Sequence, residues 1–216
     1  NEGGLKKLVD EDGVTGVTSN PTIFQQAMGQ GTAYDASLAE YDKAHPGAAA
    51  LDRYEYLAVE DIKAAADTLR PVYDRLNGKD GYVSLEVSPY VANDTDATIA
   101  EAKKLWAAVD RPNLMIKIPG TPAGVPAIAA TIASGISVNV TLLFSQEAYQ
   151  AVALAYVEGL EQRVARGEPI DRVASVASFF VSRIDTQIDQ AIDARLAAGD
   201  PQGGDLAAIR GRVAIA

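Results

Sequence analysis

The stretch Leu114-Met115-Ile116-Lys117-Ile118-Pro119-Gly120-Thr121 sets a lysine in the middle of an apolar run. Leu114, Ile116 and Ile118 alternate with Met115 and Lys117. A strand over 114–118 therefore has one aliphatic face and puts the lysine on the other. Four further runs read as strands: Val14 to Asn20, Tyr82 to Ser88, Ile136 to Leu142 and Val173 to Phe180. In the second of these, Val83, Leu85 and Val87 oppose Ser84, Glu86 and Ser88. In the third, Ile136, Val138, Val140 and Leu142 oppose Ser137, Asn139 and Thr141. Central strands of an open parallel sheet are buried on both faces and read as nearly all apolar. A polar face on three strands fits the lumen of a barrel, whose chemistry gathers at the C-terminal mouth. No Gly-x-Gly-x-x-Gly and no P-loop lysine motif supports nucleotide binding. The expected fold is α/β, a (β/α)8 TIM barrel.

Helical spacing fills the gaps between strands. Leu57, Ala58, Ile62, Ala65, Leu69, Val72, Tyr73 and Leu76 form one stripe, and Ile99, Ala102, Leu105, Trp106 and Val109 another behind the caps Asp94 and Thr95. Tyr149, Val152, Ala153, Tyr156, Val157 and Leu160 follow the cap Ser145. Val181, Ile184, Ile188, Ala191, Ile192 and Arg195 make a fourth stripe. Breaks are expected at Asn77-Gly78, Arg111-Pro112, Ser134-Gly135, Gly167 to Pro169 and Gly199 to Gly204.

Composition narrows the chemistry. The 216 residues carry a net charge of −10, which argues against a nucleic-acid surface. No run approaches the length of a membrane span. With no cysteine and a single histidine, thiol catalysis and a His-pair metal site are not available. His45, between Ala44 and Pro46-Gly47, reads as a surface turn. The chain begins at Asn1 rather than Met and stops in mid-pattern at Ala216, which reads as a fragment: one partial barrel domain over 1–216.

Two readings stand for each polar residue on the strand faces. Lys117 is either an amine with a lowered pKa that attacks a ketone or the ion-pair partner of Glu86. Glu86 is either a proton shuttle or that structural partner. Asn139 and Thr141, two apart on one face, either bind a hydroxyl and orient a water or form a satisfied polar pair. Asn20 before Pro21 is a natural helix cap. Ser178 and Arg183 flank a helix start that suits a phosphate, and a surface ion pair is the alternative for Arg183.

The runs Gly16 to Phe24, Ser84 to Pro89, Ile116 to Thr121, Val138 to Ser145 and Ser178 to Asp185 resemble, in that order, class I transaldolases, above all the longer bacterial ones, including those fused to a glucose-6-phosphate isomerase. The resemblance implies an aldolase-type barrel acting in the pentose phosphate pathway. A dihydroxyacetone unit would move from sedoheptulose 7-phosphate to glyceraldehyde 3-phosphate, without cofactor. By resemblance Lys117 is the Schiff-base lysine, and Glu86 and Thr141 hold a catalytic water. Asn20 and Asn139 would contact substrate hydroxyls or the intermediate, and Ser178 and Arg183 the sugar phosphate. Phe180 stands where the related fructose-6-phosphate aldolases carry Tyr, which favours transfer over simple aldol cleavage.

The same resemblance places a catalytic aspartate on a first strand upstream of Gly3, and neither Asp10 nor Asp12 matches it. Two further strands are expected after Ala216, leaving about five of eight in this segment and little or no activity from it alone. A cytoplasmic enzyme with sugar-phosphate partners follows. Homo-oligomerisation and a downstream isomerase remain open, as do two other functions: a related lysine-dependent aldolase, and a non-catalytic sugar-phosphate-binding or assembly module.

Overall fold

The computed structural model describes residues 3–29 and 31–215. Asn1 and Ala216, on which the reading of a cut chain rests, lie outside the described residues. The strands are β1 (Val17–Thr18), β2 (Val83–Glu86), β3 (Leu114–Pro119), β4 (Val138–Leu143) and β5 (Ser175–Phe179). The helices are α1 (Gly4–Glu11), α2 (Pro21–Gly29), α3 (Asp35–Ala44), α4 (Ala50–Arg75), α5 (Thr95–Val109), α6 (Gly124–Ala133), α7 (Gln146–Ala165), α8 (Val181–Ala197) and α9 (Gly203–Ile209). All neighbouring strands pair in parallel, in the order β1-β2-β3-β4-β5.

The sheet is curled into part of a barrel. Adjacent strands lie about 4.8 Å apart, so β2 and β4 would be roughly 10 Å apart in a flat sheet. Yet Asn139 Nδ2 on β4 donates to Ser84 Oγ on β2 at 3.0 Å. Lys117 Nζ on β3 likewise reaches past β2 to the carbonyl of Ser19, just after β1, at 2.9 Å. Side chains from strands two apart meet only on a concave face. This architecture is a parallel five-stranded half-barrel.

The alternation read from the sequence divides the two faces. Val83, Leu85, Val87, Leu114, Ile116, Ile118, Val138 and Val140 join the main core with buried residues of α4 to α7. On the concave face Met115 packs with Tyr82 and Tyr73 in a separate apolar cluster below the polar residues. Caps fall as expected: Asp94 Oδ1 accepts from Ala97 N at 2.9 Å, and Ser145 Oγ from Ala148 N at 3.2 Å. Asn77 and Gly78, at φ 54° and 76°, follow α4 in left-handed backbone. His45 is an exposed residue directly after α3, stacked on Tyr41.

Three expectations differ from the structure. The first strand is shorter than Val14 to Asn20, because the Val14 amide donates to Leu8 O and closes the end of α1. The long stripe is buried from Leu57 as read, but the helix that carries it begins earlier, at Ala50, and continues through Pro71. The stripes of the last two long helices are only partly buried. On α7 the buried residues are Val152, Ala155 and Gly159; Tyr156 and Leu160 pack on the core while partly buried, and Tyr149 and Val157 are exposed. On α8 Ile192 alone is buried. Both helices flank β5, the sheet edge, where fewer surfaces are present to cover them.

Gly124 starts α6 directly behind the end of β3, and a Cβ there would overlap the Pro119 carbonyl oxygen. Gly124→Ala is expected to lower the unfolding free energy by about 2–3 kcal/mol in urea denaturation. An unchanged midpoint would show that the turn after β3 is free to move.

Candidate active site

The concave face collects most of the predicted site. In register, Glu86 on β2 pairs with Lys117 on β3, and Lys117 with Asn139 on β4. Their side chains therefore lie side by side at one level. Lys117 is 6% exposed and Asn139 5%, so each polar atom there needs a partner. Lys117 Nζ finds two acceptors, the Ser19 carbonyl at 2.9 Å and Glu86 Oε2 at 3.2 Å. The ion pair expected between Lys117 and Glu86 is thus present, and it sits within the polar cluster rather than at the surface.

Asn139 is held at both ends. Its Nδ2 donates to Ser84 Oγ at 3.0 Å, and its Oδ1 accepts from Ser178 Oγ at 2.8 Å. Ser19 Oγ in turn donates to the Ser84 carbonyl at 2.7 Å. A hydrogen-bonded belt therefore runs from β1 through β2 and β4 to β5, around Lys117. Thr141 is buried and in register with Pro119, two residues beyond the Lys117–Asn139 level towards the C-terminal mouth.

Three predicted residues stand apart from this belt. Asn20 caps α2, its Oδ1 accepting from Ile23 N at 2.9 Å. Phe180 directly precedes α8 and stacks on Phe144, with ring centroids 5.0 Å apart. The Arg183 guanidinium lies over the Phe180 ring, 4.5 Å from its centroid. Among the described residues Arg183 makes no ion pair, so its surface-pair alternative is not realised. Asp10 and Asp12 belong to the end of α1, where Asp10 pairs with Lys6 at 2.5 Å.

Ser19 and Ser84 are site residues that sequence reasoning left without a role. Alternation puts Ser84 on the polar face two residues before Glu86, so its place was readable. Ser19 acts through its backbone carbonyl, which no side-chain pattern reports. A cavity of about 630 Å3 between α4, α5 and the loop after β2 is lined by Glu86, Tyr54 and Glu101, among others, but not by Lys117. Burial, then the charges of Glu86 and Glu101, push the Tyr54 hydroxyl up from the usual tyrosine range. No cluster of three His, Asp or Glu able to hold a metal occurs among the described residues, and no helix there is long and apolar enough to cross a membrane.

Parallel βα units curled around a buried, carboxylate-paired lysine make an α/β half-barrel, consistent with part of an aldolase-type barrel. The chain belongs to the transaldolase/fructose-6-phosphate aldolase family, whose model matches residues 2–210. It is 49% identical over 216 residues to the transaldolase of Trichodesmium erythraeum (strain IMS101), covering 99% of this chain and 56% of that protein. It is 54% identical over 192 residues to transaldolase 2 of Streptomyces coelicolor, covering 89% and 51%. For the transaldolase of Thermobifida fusca the identity is 50% over 214 residues, covering 99% and 56%. The chain thus spans about half the length of these relatives.

Glu86→Gln keeps the shape but removes the charge opposite Lys117. It is expected to cost about 2 kcal/mol or more of stability, because a buried ammonium is left without its counter-charge. In a Lys117→Met background the same change should cost less than about 1 kcal/mol. Equal costs in both backgrounds, read by chemical denaturation, would show that the pair contributes nothing.

Proposed function

We propose that the protein carrying this chain is a transaldolase that transfers a dihydroxyacetone unit between sugar phosphates, with Lys117 as the Schiff-base nucleophile. The observation that carries this reading is the buried Lys117 amine, paired to a carboxylate and surrounded by hydroxyl and amide groups suited to a polyol. The amine must lose a proton to attack, and Glu86 is the nearest base. Attack on the ketose carbonyl gives a carbinolamine, and loss of water gives an iminium. The donor C3–C4 bond then breaks: its electrons flow into the iminium to leave an enamine, while a base takes the C4 hydroxyl proton. The enamine attacks the acceptor aldehyde, and hydrolysis of the new iminium frees Lys117.

The remaining roles follow the same reading. Glu86 and Thr141 hold a water that relays protons. Asn139 binds a donor hydroxyl, and Asn20 reaches the intermediate with the end of its amide not used in capping α2. Arg183 takes the phosphate. Ser178, already donating to Asn139, sets that amide in place beside the sugar phosphate. Phe180 offers no hydroxyl to protonate the enamine, which favours its capture by an acceptor aldehyde over release of dihydroxyacetone. The pathway is the pentose phosphate pathway, and the setting is the cytoplasm. A catalytic aspartate is taken to come from outside residues 1–216, which form one partial barrel domain.

Borohydride reduction of the intact protein with fructose 6-phosphate, followed by peptide mass spectrometry, is expected to place the adduct on Lys117. Lys117→Arg should abolish the adduct and lower turnover by more than about a thousandfold. No adduct in the unsubstituted protein would leave only a binding or assembly role. In a coupled assay the acceptor aldehyde should be required for product. Free dihydroxyacetone as the main product would identify an aldolase instead.

A further inference from the structure

Phe144 and Phe180 follow β4 and β5 at the C-terminal mouth of the half-barrel. Their rings are nearly parallel, at 13° and 5.0 Å between centroids. The Arg183 guanidinium lies 4.5 Å from the Phe180 centroid. Among the described residues, Arg183 makes no hydrogen bond and no ion pair, so the ring is its one directed partner. Phe144 is 46% exposed, and its ring is therefore not there to fill the core.

The backbone that presents Phe144 is itself unusual. Leu142 has φ 60°, a left-handed conformation that disfavours a side chain, and the β4–β5 register shifts between Val140 and Leu143. A left-handed backbone is strained for leucine, and Leu142 is 43% exposed, so packing does not account for it. Bulges of this kind re-aim side chains beside functional sites. Here the bulge leaves Thr141 buried on the concave side. The Phe180 amide donates to the Leu143 carbonyl at 3.1 Å, which ties the two mouth segments together and lets Phe144 meet Phe180.

We propose that Phe144 is a positioning residue for ligand phosphate: it fixes the Phe180 ring, and through that ring the plane of Arg183. Stacking occupies the face of the guanidinium and leaves its in-plane N–H donors available for a phosphate monoester. Phe144 acts on the phosphate end of the ligand, not on the reacting carbon. This inference rests on the reading of the site as one for sugar phosphates.

The test compares two ketones in the intact protein, fructose 6-phosphate and the unphosphorylated dihydroxyacetone. The readout is the concentration dependence of borohydride trapping on Lys117, together with KM and kcat for fructose 6-phosphate. Phe144→Ala should raise the half-saturating fructose 6-phosphate concentration and KM about fivefold to tenfold. The half-saturating dihydroxyacetone concentration should stay within about twofold, as should kcat. Phe144→Tyr, which keeps the ring, should restore affinity. In an Arg183→Ala background, Phe144→Ala should have no further effect on fructose 6-phosphate. Equal weakening for both ketones, or no weakening for either, overturns the proposal while leaving the Schiff-base reading intact. Failure to trap either ketone on Lys117 in the unsubstituted protein overturns the site reading and this proposal with it.

Discussion

The ammonium of Lys117 is buried between strands, and a buried charge must find acceptors or lose its proton. Its two acceptors, the Ser19 carbonyl and the Glu86 carboxylate, lie at the ends of β1 and β2. Holding all three together requires the sheet to curl, since a flat sheet would put Ser19 out of reach. The same curl carries Asn139 to Ser84. The geometry of the polar cluster and the curvature of the half-barrel are therefore one constraint, described once through side chains and once through strands.

Below and behind that cluster the packing is apolar and dense. The outward strand faces meet the helices in one core, while Met115, Tyr82 and Tyr73 close the lower part of the concave side. The polar residues Lys117, Glu86 and Thr141 gather at the opposite, C-terminal end of that face. An amine in such surroundings interacts strongly with each neighbouring dipole, because little solvent screens it. On the proposed reading, stability and chemistry make opposite demands on this residue: the acceptors that make a buried ammonium tolerable also hold the proton that an attacking amine would give up.

The rim differs in kind from the floor. Floor residues are fixed by strand register, which leaves each side chain little choice of direction. Phe144, Phe180 and Arg183 follow the strands, and their order comes from ring stacking and a left-handed bulge at Leu142. The floor is thus set by backbone register and the rim by contacts between side chains.

Much of this was legible in the sequence. Period-two alternation around Lys117, Glu86 and Asn139 gave the polar face, because side-chain direction in a strand is a local property. Caps at Asp94, Ser145 and Asn20 were equally local, depending on residues within one helical turn. The ordered motifs carried the family, and the family model over residues 2–210 agrees with them. What alternation leaves open is which residues on a face touch. Ser84 meeting Asn139 across β3, Ser178 closing the other side of that amide, and the Ser19 carbonyl receiving Lys117 all depend on curvature. So does the stacking of Phe144 on Phe180, which unites two segments 36 residues apart in the chain. Local pattern determined which residues face inward; only the closing of strands around them decided which of those residues are partners.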